Sequence, residues 1–305
     1  MLRDAIDALG GPMVELDREV WSTLAKQVDQ LAASAPPPPS FPMVAMQVLS
    51  LAKKPELDLN ELVGIVQRDA AIATAMLRIA NSAMFAPAVP ITTVRAAISS
   101  LGLRNVVEIV LGTAGKSFYT VASTSELDLY PALWQSMFDE AMANAFTCGR
   151  LALDIRGARG ERALLAGLLS DVGRPIALRI LSRMIRDGVT TGPLDEATVL
   201  ATLDEVAPAV GRRAIMQMNL PEELRVACIA DAHLPTADSQ IAQLVSAIGA
   251  IQRRSPRIWI SAGDVRVAAE RLGLEPLVVR TQFAQRHQYV IQATEMFGGT
   301  VQRAA

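Results

Sequence analysis

At 305 residues, 51% of them hydrophobic and 4% aromatic, the chain can bury one large core or two modest ones, and its Ala, Leu, Val, Ile and Met content suits packed helices better than sheets. A formal net charge of −2 excludes a global electrostatic pull toward nucleic acid or an anionic membrane. Cys148 and Cys228 are the only cysteines, too few for a disulfide framework and too far apart in sequence for a metal pair, and they read as small buried hydrophobes.

No apolar run reaches the roughly 20 residues that span a bilayer. The amino terminus, with Arg3, Asp4 and Asp7 in an amphipathic pattern, lacks the apolar region of a signal peptide, so the expectation is a cytoplasmic protein with no membrane contact. Residues 1–34 read as one or two short amphipathic helices, with Val14, Leu16, Val20, Leu24, Val28 and Leu31 at three- and four-residue spacing. Residues 35–40 (Ala-Pro-Pro-Pro-Pro-Ser) form a stiff linker, because successive prolines lack the N–H groups a helix needs. Phe41-Pro42-Met43 opens a helix with Val44, Val48 and Leu51 on one face. Asp58 with Glu61 reads as a capping box before Leu62, Ile65 and Val66. Asp69 reads as the N-cap of the next helix, which Asn81 is expected to end in a left-handed conformation. Gly102 reads as the break between one helix and another carrying Val106, Val107, Ile109, Val110 and Leu111. The pattern predicts an all-α fold, an irregular multi-helix bundle, without a fixed-period repeat.

The organising stretch is Ala163 to Leu178, where Gly167-Leu168-Leu169-Ser170-Asp171-Val172-Gly173 follows two apolar helical turns. A carboxylate at such a protected helix end is unfavourable unless it is paired. This stretch resembles the Gly-Leu-Leu-His-Asp-Ile-Gly signature of HD-type metal phosphohydrolases, with Ser170 in the histidine position. Other segments match in order: Phe41-Pro42, Arg68-Asp69-Ala70 through Leu77 to Ala80-Asn81-Ser82-Ala83-Met84-Phe85, Ile91 with Ala97-Ile98 and Leu101-Gly102, Leu133-Trp134, and Leu220-Pro221 before Asp231-Ala232-His233. From Phe41 to about His233 the chain resembles the HDOD domain, the HD-related output domain of bacterial signalling proteins.

The expected organisation is an N-terminal helical segment (1–34), the linker (35–40), the HDOD helical domain that the resemblance implies (41–235) and C-terminal helices packed on the bundle (236–305). HD enzymes hold divalent metal with several histidines and two aspartates, and such a site needs at least three convergent ligands. This chain has two histidines. The first HD histidine position reads Gln135-Ser136-Met137, the second is Ser170, and Ala209 to Arg213 contains none. The expectation is therefore no catalytic residue, no metal and no cofactor. Asp171 remains either as a helix-end cap or, with Ser170, Arg174 and His233, as a vestigial pocket for an anionic ligand or nucleotide. In either reading Arg174 is placed to pair with Asp171.

Ser261-Ala262-Gly263-Asp264 reads as a cap. Ala269, Gly273 and Val279 have helix-turn-helix spacing in a locally basic third, which keeps a DNA-binding regulator open. Arg280, Gln282 and Arg286 do not share a helical face, however, and Leu272, Leu274, Leu277 and Val278 suit a bundle core. His287 reads as solvated. The function implied is a non-enzymatic signalling output or scaffold module with signalling proteins as partners and no nucleic acid. The alternatives are a metal-dependent phosphohydrolase acting on a nucleotide and the DNA-binding regulator.

Overall fold

The computed structural model describes residues 18–54, 56, 58–120, 129–190, 194–229, 236–252 and 262–298. All regular structure among them is helical and forms an irregular bundle, in agreement with the predicted class. Residues 1–17, His233 and Ser261, on which some of these expectations fall, lie outside the described residues.

The helices are α1 (Arg18–Ser34), α2 (Met43–Ala52), α3 (Leu59–Val66), α4 (Ala70–Ala80), α5 (Val94–Tyr119), α6 (Pro131–Leu151), α7 (Gly160–Leu169), α8 (Gly173–Arg186), α9 (Glu196–Gln217), α10 (Glu222–Cys228), α11 (Ala237–Gln252), α12 (Ala262–Arg271) and α13 (Pro276–Phe297). Residues 36–42, the proline run included, carry no helix.

Local signals set most of the boundaries. Asp58 caps α3 by accepting from the N–H groups of Asn60 and Glu61, and Asp69 caps α4 by accepting from that of Ile72. The expected return bond of a capping box is replaced, because Glu61 accepts from Lys54 Nζ at 2.9 Å. Gly102, at φ 74° and ψ 158°, breaks α5 into two helical segments, a conformation that an L-residue adopts only with strain. Pro276 occupies the first turn of α13, where a missing N–H removes no helical bond.

Asn81 departs from its expected role. Its backbone stays right-handed (φ −97°, ψ 4°), and the side chain does the capping. Nδ2 donates to the carbonyls of Leu77 and Ile91, and Oδ1 accepts from the N–H of Ile91, each at 2.8 Å. The amide thereby ends α4 and anchors the loop that returns to α5.

The hairpin of α6 and α7 lies at the centre, with α11, α13 and α10 packed around it. A second layer pairs α8 with α9, and α1 closes over both. Trp21, Leu24, Ala25 and Val28 of α1 are buried, and Arg213 of α9 donates to Asp29 Oδ1 at 2.5 Å. One contiguous apolar cluster runs from Leu24 to Phe297, so α1 and α13 share the core of the helices between them. No described helix is long and apolar enough to cross a membrane.

Candidate functional site

The stretch Gly167–Gly173 joins α7 to α8 at the middle of the bundle. Ser170 and Val172 keep right-handed helical angles, so the chain turns between the two helices with little unwinding. Gly173 is required by packing: a Cβ there would lie 2.0 Å from the carbonyl oxygen of Ala207 and 2.7 Å from the nitrogen of Gly211. Only a residue without a side chain lets the start of α8 touch the backbone of α9 so closely.

This crossing directs Asp171 toward α6 and α11. Its Oδ2 accepts from Asn144 Nδ2 of α6 at 3.1 Å, and its Oδ1 accepts from Ser246 Oγ of α11 at 2.7 Å. Ser170 donates to the carbonyl of Gly167 at 2.8 Å, and its hydroxyl lies 3.5 Å from Asn144 Nδ2. The far end of Asn144 faces α13, where Oδ1 accepts from Arg286 Nη2 at 2.9 Å. Asn144 and Arg286 are buried, whereas Ser170, Asp171 and Ser246 are half-buried. Beneath the site, the hydroxyl of the buried Tyr119 donates to the carbonyl of Leu168 at 2.5 Å. Burial pushes its ionisation well up, and the charge of Asp171 pushes the same way. The Cys148 thiol is pushed up by burial and by Asp171 and Asp238, against an opposing pull from Arg286, and it stays a protonated core group.

Several expectations for these residues change. Asp171 is a side-chain clasp between α6 and α11; the N-cap of α8 is Val172, which makes no side-chain capping bond. Arg174 does not take its place beside Asp171: its guanidinium forms an ion pair with Asp204 of α9. The reason is tertiary, since Arg174 is buried in the α8–α9 interface and that interface offers a carboxylate. Ser136 bonds back to the carbonyl of Leu133 within α6. It lies two turns, about 12 Å, before Asn144, the α6 residue that actually reaches Asp171. Arg286, one of the arginines that make the C-terminal third locally basic, is 5% exposed and lies inside the site. Leu277, read as core, is 71% exposed, and the inward register is carried by Leu274 and Val279. His287 is exposed, as its polar surroundings predict.

Among the described residues, the donor set does not fit the metal that the HD resemblance implies. It comprises one carboxylate, two hydroxyls and an amide whose oxygen is already engaged by a guanidinium. That is one strong ligand among the described residues, below the three a catalytic site requires. Among the described residues no group of three or more His, Cys, Asp or Glu side chains converges. Two surface depressions, of about 390 and 410 Å³, lie elsewhere, one lined by Glu19, Thr23 and Thr190 and the other by Lys54, Asn60 and Arg68.

Solved structures share this architecture. A candidate signal transduction protein of Marinobacter aquaeolei VT8 superposes with a TM-score of 0.60 at 20% identity, covering 97% of this chain and 64% of that one. A candidate metal-dependent phosphohydrolase of Shewanella amazonensis SB2B gives 0.57 at 18% identity, covering 89% and 98%. An HDOD domain protein of unknown function from Geobacter sulfurreducens gives 0.56 at 17% identity, covering 92% and 99%. An uncharacterized protein of Treponema pallidum (strain Nichols) is 23% identical over 238 residues, and the match spans 74% of this chain but 42% of that protein's length. The HDOD domain family model matches residues 39–235, which hold the α6–α7 hairpin and the turn that carries Asp171, and on that match the chain belongs to the HDOD family.

Proposed function

We propose that this chain is a non-enzymatic HDOD module that acts through protein contacts in bacterial signal transduction, in the cytoplasm. The observation that carries the reading is the chemistry at the HD position. There, the Asn144 amide and the Ser246 hydroxyl donate to the Asp171 carboxylate, and the Arg286 guanidinium donates to the far end of the same amide. An aspartate held in that way suits a scaffold, because its hydrogen bonds tie α6 and α11 to the turn that carries it. The structural likeness to a candidate signal transduction protein agrees with this role.

The full chain, purified without chelator, is expected to carry well under one equivalent of Fe, Mn or Zn and to leave cyclic dinucleotides intact. In a pull-down from its native host it is expected to retain a defined signalling protein, recovered reciprocally with that protein as bait. Ser170→His is expected to leave hydrolysis absent, since one added imidazole does not complete a first coordination shell. A full metal equivalent accompanied by hydrolysis, in the natural chain or the variant, would move the protein to the phosphohydrolases.

A further inference from the structure

The half-buried Asp171 and the buried Arg286 are held by one side chain between them. Arg286 comes from α13, 142 residues beyond Asn144, and its guanidinium stays charged at every accessible pH. Asn144 takes Arg286 at its oxygen (2.9 Å) and gives its amide hydrogens to Asp171 (3.1 Å). A guanidinium only donates and an ionised carboxylate only accepts, so chemistry alone fixes which way this amide points. An aspartate at position 144 would set two acceptors face to face, and an apolar residue would disconnect both ends.

A second observation shows that room has been made for the guanidinium. α11 is stripped to backbone at Gly249, where a Cβ would lie 2.8 Å from Arg286 Nη2 and 3.3 Å from Asn144 Oδ1. α11 therefore contributes Ser246 to the aspartate and, less than one turn later, the space for the cation. Ser246, Gly249 and Arg286 all lie beyond residue 235, where the family match ends, so the polar site of the HDOD segment is completed from outside it.

We infer that Arg286 is the resident cation of this pocket: relayed by Asn144 to Asp171, its guanidinium takes the electrostatic place of a divalent ion and locks α13 onto the HDOD core. The site is then a fastener between the matched domain and the C-terminal helices. This assignment is independent of which partner the module engages.

The test is a double-mutant cycle on the full chain, read by thermal unfolding of wild type, Arg286→Met, Asp171→Asn and the double variant. Arg286→Met is expected to lower Tm by about 5 °C or more, because the half-buried carboxylate loses its countercharge and the buried Asn144 oxygen loses its donor. The double variant is expected to lose less than the sum of the two single losses, by about 3 °C or more. Simple additivity would overturn the assignment. If Arg286→Met does not fold, the wild type still decides. The side-chain Nε–H signal of Arg286, identified by its loss in Arg286→Lys, is expected to exchange slowly and to shift in Asp171→Asn. An unshifted signal would overturn the assignment. Millimolar Mn²⁺ is expected to leave the wild-type Tm unchanged, and a rise would show that the pocket still takes a metal.

Discussion

Asp139 and Glu108 show what burial does to a single carboxyl group in this bundle. Asp139 on α6 is buried, and burial pushes its ionisation above the ordinary 3.8, with Glu140 adding to the effect and Thr294 and Lys116 opposing it. Glu108 on α5 is pushed above 4.5 by burial, although Arg104 bonds it at 2.9 Å and both Arg104 and Arg150 pull it back. A carboxyl whose folded value is raised binds its proton more tightly in the native state. The stability it contributes is present below the unfolded value and is lost as pH rises through the folded one. Asp139→Asn keeps an acceptor for the Thr294 hydroxyl, which now donates to Asp139 Oδ2 at 3.0 Å, and removes the titration. The variant is expected to be more stable than wild type at neutral pH and to show a flatter dependence as pH rises above the ordinary carboxylate value, read from urea midpoints. An unchanged slope would show that Asp139 titrates as it does in the unfolded chain. The same logic explains Arg174, a buried charge answered by Asp204 across a helix interface instead of by the nearest carboxylate in sequence.

Among the elements, the α8–α9 pair depends on bare backbone at its crossing. Gly173→Ala sets a Cβ against the Ala207 carbonyl, a backbone atom that has no rotamer to yield. The substitution is expected to cost about 1–3 kcal/mol, measured by urea unfolding, because the helices must separate. Gly64→Ala is the contrasting case. Nothing lies within 4 Å of the new methyl group in α3, so the gain in helix propensity is expected to stabilise by about 0.5–1 kcal/mol. Equal effects of the two changes would mean that helix propensity, and not the crossing, governs both sites.

At the scale of the molecule, α13 is bound at its end as well as at Arg286. The Phe297 ring packs edge-on to Phe138 at 5.6 Å, and it fills the space that a Cβ at Gly112 would occupy. Arg78 of α4 and Lys116 of α5 donate to the carbonyls of Met296 and Phe297 at 2.5 and 2.7 Å, so two cations from the HDOD core cap the last turn of the helix. Phe297→Ala is expected to lower global stability by about 3–5 kcal/mol. Hydrogen exchange distinguishes this from local fraying: protection is expected to fall throughout α6 and α13 together, whereas a change confined to the last turn of α13 would make that helix an appendage.

The sequence by itself determined the helical class, the caps at Asp58 and Asp69, the break at Gly102, the start of α13 at Pro276 and the resemblance to the HDOD family. These are readable because each depends on hydrogen bonds or periodicity within a few residues. It also held a trace of the site in Asn144, a lone amide in the apolar helical run of Ala141, Met142, Ala143, Ala145 and Phe146, where a polar side chain is unfavourable unless partnered. Tertiary structure alone decided the partners. Asp171 meets Asn144 across 27 residues and Ser246 across 75, and Arg286 meets Asn144 across 142. Local pattern also placed Leu277 in the core, the reverse of what is found. The rotation of α13 about its axis is set by where its whole length packs on α6, and the apolar spacing of its first turn does not contain that information.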